Sequence, residues 1–140
     1  MITRSPRSLI RRSRRTGAAA VEFAIVAPIF FLLLIGSLEF GRLNIIRHTA
    51  DQAAYEAARH AMVPGATVAE ARQQARRMMR IVGARGSTVD VTPDVLGPDV
   101  DEITVTVEVP LNQNGWITPR FTNNTTITAV SRLKTERALD

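Results

Sequence analysis

Twenty-one consecutive residues, Ala18 to Leu38 (AAAVEFAIVAPIFFLLLIGSL), carry a single charge, Glu22. Nothing else in the chain restricts its folding as much. As an α-helix this run reaches about 30 Å, the thickness of a bilayer's hydrocarbon core. A soluble chain of 140 residues holds too little other apolar mass to surround a helix that is oily on every side. The run therefore predicts a membrane-spanning helix. Arg4, Arg7, Arg11, Arg12, Arg14 and Arg15 precede it with no acidic residue among them, while Glu39, Arg42 and Arg47 follow as a mixed-sign flank. By the positive-inside rule the N-terminus stays in the cytoplasm and the chain beyond about residue 40 is exported.

This asymmetry also settles what the net charge of +5 means. A basic balance points to nucleic acid only when the charge lies on a folded surface. Here six arginines belong to residues 1–17, and the remaining 123 residues carry 12 basic and 13 acidic groups. No nucleic-acid partner is expected. The absence of cysteine excludes a disulfide framework and a thiolate zinc site.

A secretory signal peptide has a shorter apolar region, about 7–15 residues, followed by a small-x-small cleavage site. In this chain the run is longer, and the small residues Gly17, Ala18, Ala19 and Ala20 stand at its beginning. Arg15-Thr16-Gly17 followed by Ala18-Ala19-Ala20-Val21-Glu22-Phe23 resembles a type IV prepilin processing site: a basic leader ending in Gly, four apolar residues, then Glu. The aromatic Phe23 after the Glu, and Glu39-Phe40-Gly41-Arg42 beyond the run, resemble the TadE-like pseudopilins of the tight-adherence (Tad) pilus system. Ala53-Ala54-Tyr55-Glu56-Ala57-Ala58-Arg59, and Ala129 to Arg132 leading to Glu136, are similar but less diagnostic. The resemblance is strong over residues 11–61 and loose elsewhere.

The resemblance implies a leader at 1–17, a transmembrane helix at 18–41 and an exported pilin-like head at 42–140. It also implies cleavage between Gly17 and Ala18 by a membrane-embedded aspartyl prepilin peptidase, of which the chain is the substrate. Physical chemistry gives the junction a logic of its own. A glycine interrupts a helix and lets a protease approach the backbone, and the arginines hold the bond near the membrane surface. A plain glycine at a helix start is the alternative for Gly17. For Glu22 the bland reading is a tolerated first-turn carboxylate, favoured by the helix dipole. The resemblance implies more: Glu22, with Phe23 beside it, pairs with the N-terminal amine of a neighbouring subunit and fixes the stagger of the assembly. Ala20, Ala24 and Pro28 recur at intervals of four, and small residues so spaced permit close helix packing in lipid. Pro28 removes a backbone donor and should bend or loosen the helix after Ala24.

Beyond Arg42 the helix is expected to continue amphipathically, with Leu43, Ile46, Ala50, Ala53, Ala57 and Ala61 on one face. Pro64-Gly65 should end it. A second helix follows, with Thr67 and Glu70 spaced as a capping box. Its apolar face is Val68, Ala71, Ala75, Met78 and Val82, and Gly83 is its stop. Arg72, Arg76, Arg77 and Arg80 lie on its other side, for which a solvated face is the preferred reading over headgroups or a partner. From residue 87 the pattern alternates, giving strands at Thr88–Thr92, Ile103–Val109 and Thr125–Ser131. The fold class is α+β: a long N-terminal helix with a transmembrane half and an exported half, a second helix, and an antiparallel sheet of about three strands.

Chemistry-bearing motifs are absent. His48 and His60 stand apart from any acidic ligand pattern. No phosphate loop, nucleophile elbow or zinc motif occurs. Asp99, Asp101 and Glu102 are read as a solvated loop rather than a cation site, and the sequons at Asn123 and Asn124 as coincidental. No metal, no cofactor and no enzymatic activity are expected. The expected function is that of a pseudopilin of a Tad/Flp-type pilus assembly or secretion system in a bacterial inner membrane. Its expected partners are the prepilin peptidase, other pilins or pseudopilins, the inner-membrane assembly platform and membrane lipid. The alternative is an uncleaved single-pass membrane protein with an exported binding domain.

Overall fold

The computed structural model describes residues 10–97, 100–115 and 125–134, and of residues 10–16 the backbone alone. The expectations that fall on Arg4, Arg7, Asp99, Asn123, Asn124 and Glu136 lie outside the described residues. The chain divides into two compact units, Met1–Leu38 and Glu39–Asp140. The architecture is α+β in the element order α1, α2, β1, β2, β3.

The first unit is helical from Ile10 onward, as part of α1 (Ile10–Ala61, 52 residues). Its apolar side chains, from Val21 to Leu38, are exposed on all sides. An 18-residue window within it reaches a hydropathy of 2.5, and none of that window is buried. A helix with no protein against it and no polar face needs an apolar solvent, so this long apolar helix fits a membrane anchor. The Ser37 hydroxyl donates to the Leu33 carbonyl at 2.8 Å, which satisfies it without water. The helix runs unbroken through Pro28.

Two expectations are corrected here. α1 begins at Ile10, so Gly17 neither interrupts a helix nor starts one, and Glu22 lies beyond the first turn. One glycine costs about 1 kcal/mol in a helix interior, and the good helix formers around it outweigh that.

The second unit, the head, is built on the later part of α1. There Ile46, Ala50, Ala53, Ala54, Ala57, Ala58 and Ala61 are buried. They recur at three and four, the spacing of one helix face. Leu43 is only half-buried, and Ala54 and Ala58 widen the stripe beyond the expected set. After Ala61 the chain turns through Gly65, which holds φ at +84°, a conformation cheap only for glycine. α2 (Val68–Ile81) follows. Thr67 caps it: the Glu70 backbone N–H donates to Thr67 Oγ1 at 3.3 Å, and the Thr67 N–H donates to Glu70 Oε2 at 2.9 Å. At its far end Ala84 N–H donates to the Met79 carbonyl and Gly83 N–H to that of Arg80, both at 3.0 Å, with Gly83 at φ +66°. This is a Schellman ending. The buried residues of α2 are Ala71, Ala75 and Met79, a strict interval of four, and Met78 is only partly covered.

The sheet has the order β1-β2-β3, all antiparallel, from β1 (Thr88–Thr92), β2 (Glu102–Pro110) and β3 (Thr126–Lys134). Val91 opposes Val105, and Val107 opposes both Val89 and Ala129. These side chains and Ile103 and Val109 form the face that closes the core with α1 and α2. The opposite face carries Thr88, Asp90, Thr92, Thr104, Thr106, Glu108 and Thr128, none of them buried. β3 runs three residues further than the sequence suggests, because Arg132 to Lys134 continue its pairing with Glu102 to Thr104. The core is thus one layer of two helices on one sheet face.

The capping box gives a pH prediction. The Thr67 backbone N–H, then its hydroxyl, hold the Glu70 carboxyl below its ordinary value of 4.5. Its contribution is therefore full above the unfolded value and is lost as pH falls through the lower folded one. The stability difference between the wild type and Glu70→Gln, which keeps the acceptor without the titration, is expected to be constant near neutrality and to shrink below about pH 4.5. Thermal unfolding across an acid series measures it; a difference that holds level to low pH would contradict the assignment.

Candidate functional site

The residues singled out around the junction all lie on one stretch of α1, and Gly17, Ala18, Ala20, Glu22, Phe23, Ala24 and Pro28 are all exposed. The helix sorts them by face. At about 100° per residue, Gly17, Ala20, Ala24 and Pro28 gather on one side. Ala18 and Glu22, four residues apart, share a different side, roughly 140° around the axis from the small residues. Phe23 stands at a third position, 71% exposed. Among the described residues, nothing beyond its chain neighbours and its own helix backbone lies within 4 Å of where a Cβ on Gly17 would sit, so this side of the helix is open to approach. Phe30 and Phe31 meet edge to face, centroids 5.8 Å apart. The segment therefore offers a smooth small-residue face for close packing and, separately, a carboxylate face.

The head contains polar structure that the sequence does not announce. Asn114 is 2% exposed. Its Oδ1 accepts from the Arg85 N–H at 2.7 Å, and its Nδ2 donates to the Arg85 carbonyl at 2.8 Å and the Pro110 carbonyl at 2.7 Å. Its own carbonyl accepts from Arg42 Nε at 3.1 Å. One residue thus joins the end of β2 and the loop after α2 through its side-chain amide, and the start of the head's portion of α1 through its backbone carbonyl. Gly86 completes this knot: it sits at φ +67°, and a Cβ there would run into the Gln113 side chain. Glu39, read in the sequence only as part of a mixed-sign flank, is 4% exposed and engaged in an interaction one turn before Arg42.

Arg72 is likewise corrected. Its side chain is 33% exposed and is not simply solvated: its Nη2 meets Asp94 Oδ1 at 3.0 Å and Asp90 Oδ1 at 3.4 Å, linking α2 to β1 and the loop beyond it. Arg76, Arg77 and Arg80 are exposed as expected. At the other end of the head, an open apolar cleft of about 570 Å³ lies between the α1–α2 turn (Met62, Val63, Pro64) and Leu96, Val100 and Ile103. Among the described residues no titratable side chain lines it. His48 and His60 are exposed on α1. Among the described residues no three His, Asp or Glu side chains come together as metal ligands would.

No curated protein and no solved structure matches the chain. A family model does: the one described as TadE-like protein, over residues 17–59. That stretch opens on Gly17, takes in Glu22 and the whole apolar run, and closes near the end of the buried alanine stripe. It is the family that residues 11–61 resemble in sequence. Over this segment, under a third of its length, the chain matches the TadE-like proteins.

Proposed function

We propose that the protein is a pseudopilin of a Tad-type pilus assembly or secretion system, cut by a prepilin peptidase after Gly17 and assembled through its hydrophobic helix. The observation that carries this is the family match over residues 17–59, which begins at the proposed cleavage site and covers the anchor. In the uncut chain Glu22 lies inside α1, with helix on both sides. A cut after Gly17 makes Ala18 the new helix start, so Glu22 then falls near the unsatisfied N–H groups and positive end of the dipole. Cleavage thus creates a cation at Ala18 and improves the setting of the anion at Glu22 together.

The two faces of the segment suit repeated assembly. The small-residue face, Ala20, Ala24 and Pro28, takes a neighbouring helix closely. The Ala18 and Glu22 face meets another neighbour, Glu22 of one subunit answering the Ala18 ammonium of the next. Contacts on different faces are heterologous, the kind that propagates rather than closing as a pair. The chain sits in the inner membrane with residues 1–17 in the cytoplasm and the head exported, where other pilins, pseudopilins and the assembly platform meet it. The head supplies binding surface and no catalysis.

Intact mass of the protein recovered from its native membrane tests the reading. A chain beginning at Ala18 is expected. Retention of residues 1–17 in cells with an active prepilin peptidase would overturn it and favour an uncleaved single-pass protein with an exported binding domain.

A further inference from the structure

The C-terminal end of α2 is strongly and one-sidedly basic. Residues 71–89 hold Arg72, Arg76, Arg77, Arg80 and Arg85 and no acid. Arg72 is committed to Asp90 and Asp94. The other four are exposed and form no ion pair among the described residues. Between them stands Ile81, 80% exposed, barer than any other large apolar side chain described in the head.

Where this patch lies in the head is fixed by Asn114. Its amide grips the backbone of Arg85, and its carbonyl is held by Arg42. The Arg80–Arg85 end of α2 is therefore the Arg42 end of the head, and the apolar cleft beside Val95 and Leu96 is the opposite end. Arg42 follows Leu38, the last residue of the apolar run, by only four residues in the sequence. Four residues of chain reach at most about 14 Å, and the headgroup layer on each side of a bilayer is about 5–8 Å deep.

We propose that Arg77, Arg80 and Arg85 bind the phosphates of anionic phospholipids, with Ile81 inserted among the headgroups, so that this end of the head lies against the bilayer. The proposal rests on residues 18–41 being a membrane anchor. Two observations favour lipid over an acidic protein. A tether of four residues ties this end of the head to the anchor, which makes a contact with the bilayer effectively intramolecular. Arginines around a bare aliphatic side chain are also the composition of interfacial segments, where charge and apolar insertion act together.

The chain has no cysteine, so Ile81→Cys carries one label at a known place. The experiment reconstitutes the full chain in phosphatidylcholine vesicles with and without phosphatidylglycerol and measures quenching of a fluorophore by spin-labelled lipid. Leu34→Cys reports on the anchor, and Val95→Cys on the far end of the head. The Ile81 label is expected to be quenched at least twofold more in the vesicles containing phosphatidylglycerol. That gain should vanish in about 1 M salt, where the Debye length is about 3 Å, and with Arg77, Arg80 and Arg85 all replaced by Gln. The Val95 label should not respond. Quenching at Leu34 with an Ile81 label indifferent to lipid composition overturns the headgroup proposal and leaves the anchor standing. An Ile81 label shielded only when an acidic protein is added does the same. Absence of quenching at Leu34 overturns both.

Discussion

Replacing Glu22 by valine is expected to abolish filament assembly while leaving membrane insertion and cleavage after Gly17 intact. Insertion does not suffer, because an acidic side chain costs up to about 2.5–3.5 kcal/mol in a membrane helix and valine removes that cost. Cleavage is spared because Gly17 and Ala18 are unchanged and Glu22 is exposed, touching nothing that shapes the junction. Assembly is different. In the proposed assembly each incoming subunit would bring an Ala18 ammonium into lipid, and without a carboxylate that charge would be left uncompensated. Breaking a buried pair by removing one partner costs about 3–5 kcal/mol, which is more than a hundredfold in each subunit contact. Intact mass and membrane fractionation should show the variant processed and inserted, and electron microscopy should show bare cells. Glu22→Asp keeps the charge on a shorter arm and should give few filaments. Normal surface filaments from the valine variant would remove the pairing role while leaving the cleavage reading untouched.

Asn114→Ala should be the most damaging single substitution in the head. It removes three hydrogen bonds of 2.7–2.8 Å and leaves the Arg85 N–H and the Arg85 and Pro110 carbonyls without the partner that held them. At about 1 kcal/mol for each bond the loss is about 3 kcal/mol, or roughly 15 °C in the melting temperature of a unit of about 100 residues. Unfolding of the full chain in detergent, followed in the sheet region of the circular dichroism spectrum, measures it. Asn114→Asp separates chemistry from size. It fills the same space but turns an acceptor toward two carbonyls, and it should be at least as destabilising as alanine. A fall of only a few degrees for either variant would mean that water replaces the amide.

How much of this could be read from the sequence follows from how local each cause is. The apolar run, the alternation of Ile103 to Val109 and the Thr67–Glu70 box are each encoded within a few neighbouring residues, and the structure carries all three. The placement of Met78 and Met79 was less legible, because adjacent residues on a helix differ by about 100° and either fits an apolar stripe. Only the packing against the sheet selects Met79. Asn114 carried one signal, the Asn-Gly dipeptide, which marks a turn and says nothing of burial. Its partners Arg42 and Arg85 are 72 and 29 residues away. Arg72 looks like its neighbours in sequence and differs from them because β1 brings Asp90 across from it. The junction residues, and their division between two faces, were legible as spacings within the apolar helix, whereas the extension of that helix back through Gly17 to Ile10 was not.

The alanines of α1 have a mechanical consequence. Ala50, Ala53, Ala54, Ala57, Ala58 and Ala61 are buried against the rest of the head, and a methyl group has no rotamers to exchange. Joints lined with longer side chains yield to load gradually, one χ angle at a time. On the α1 side this joint has little beyond Ile46 to rearrange. A pull along α1 reaches the sheet without slack, and the head either holds its shape or comes apart at the seam.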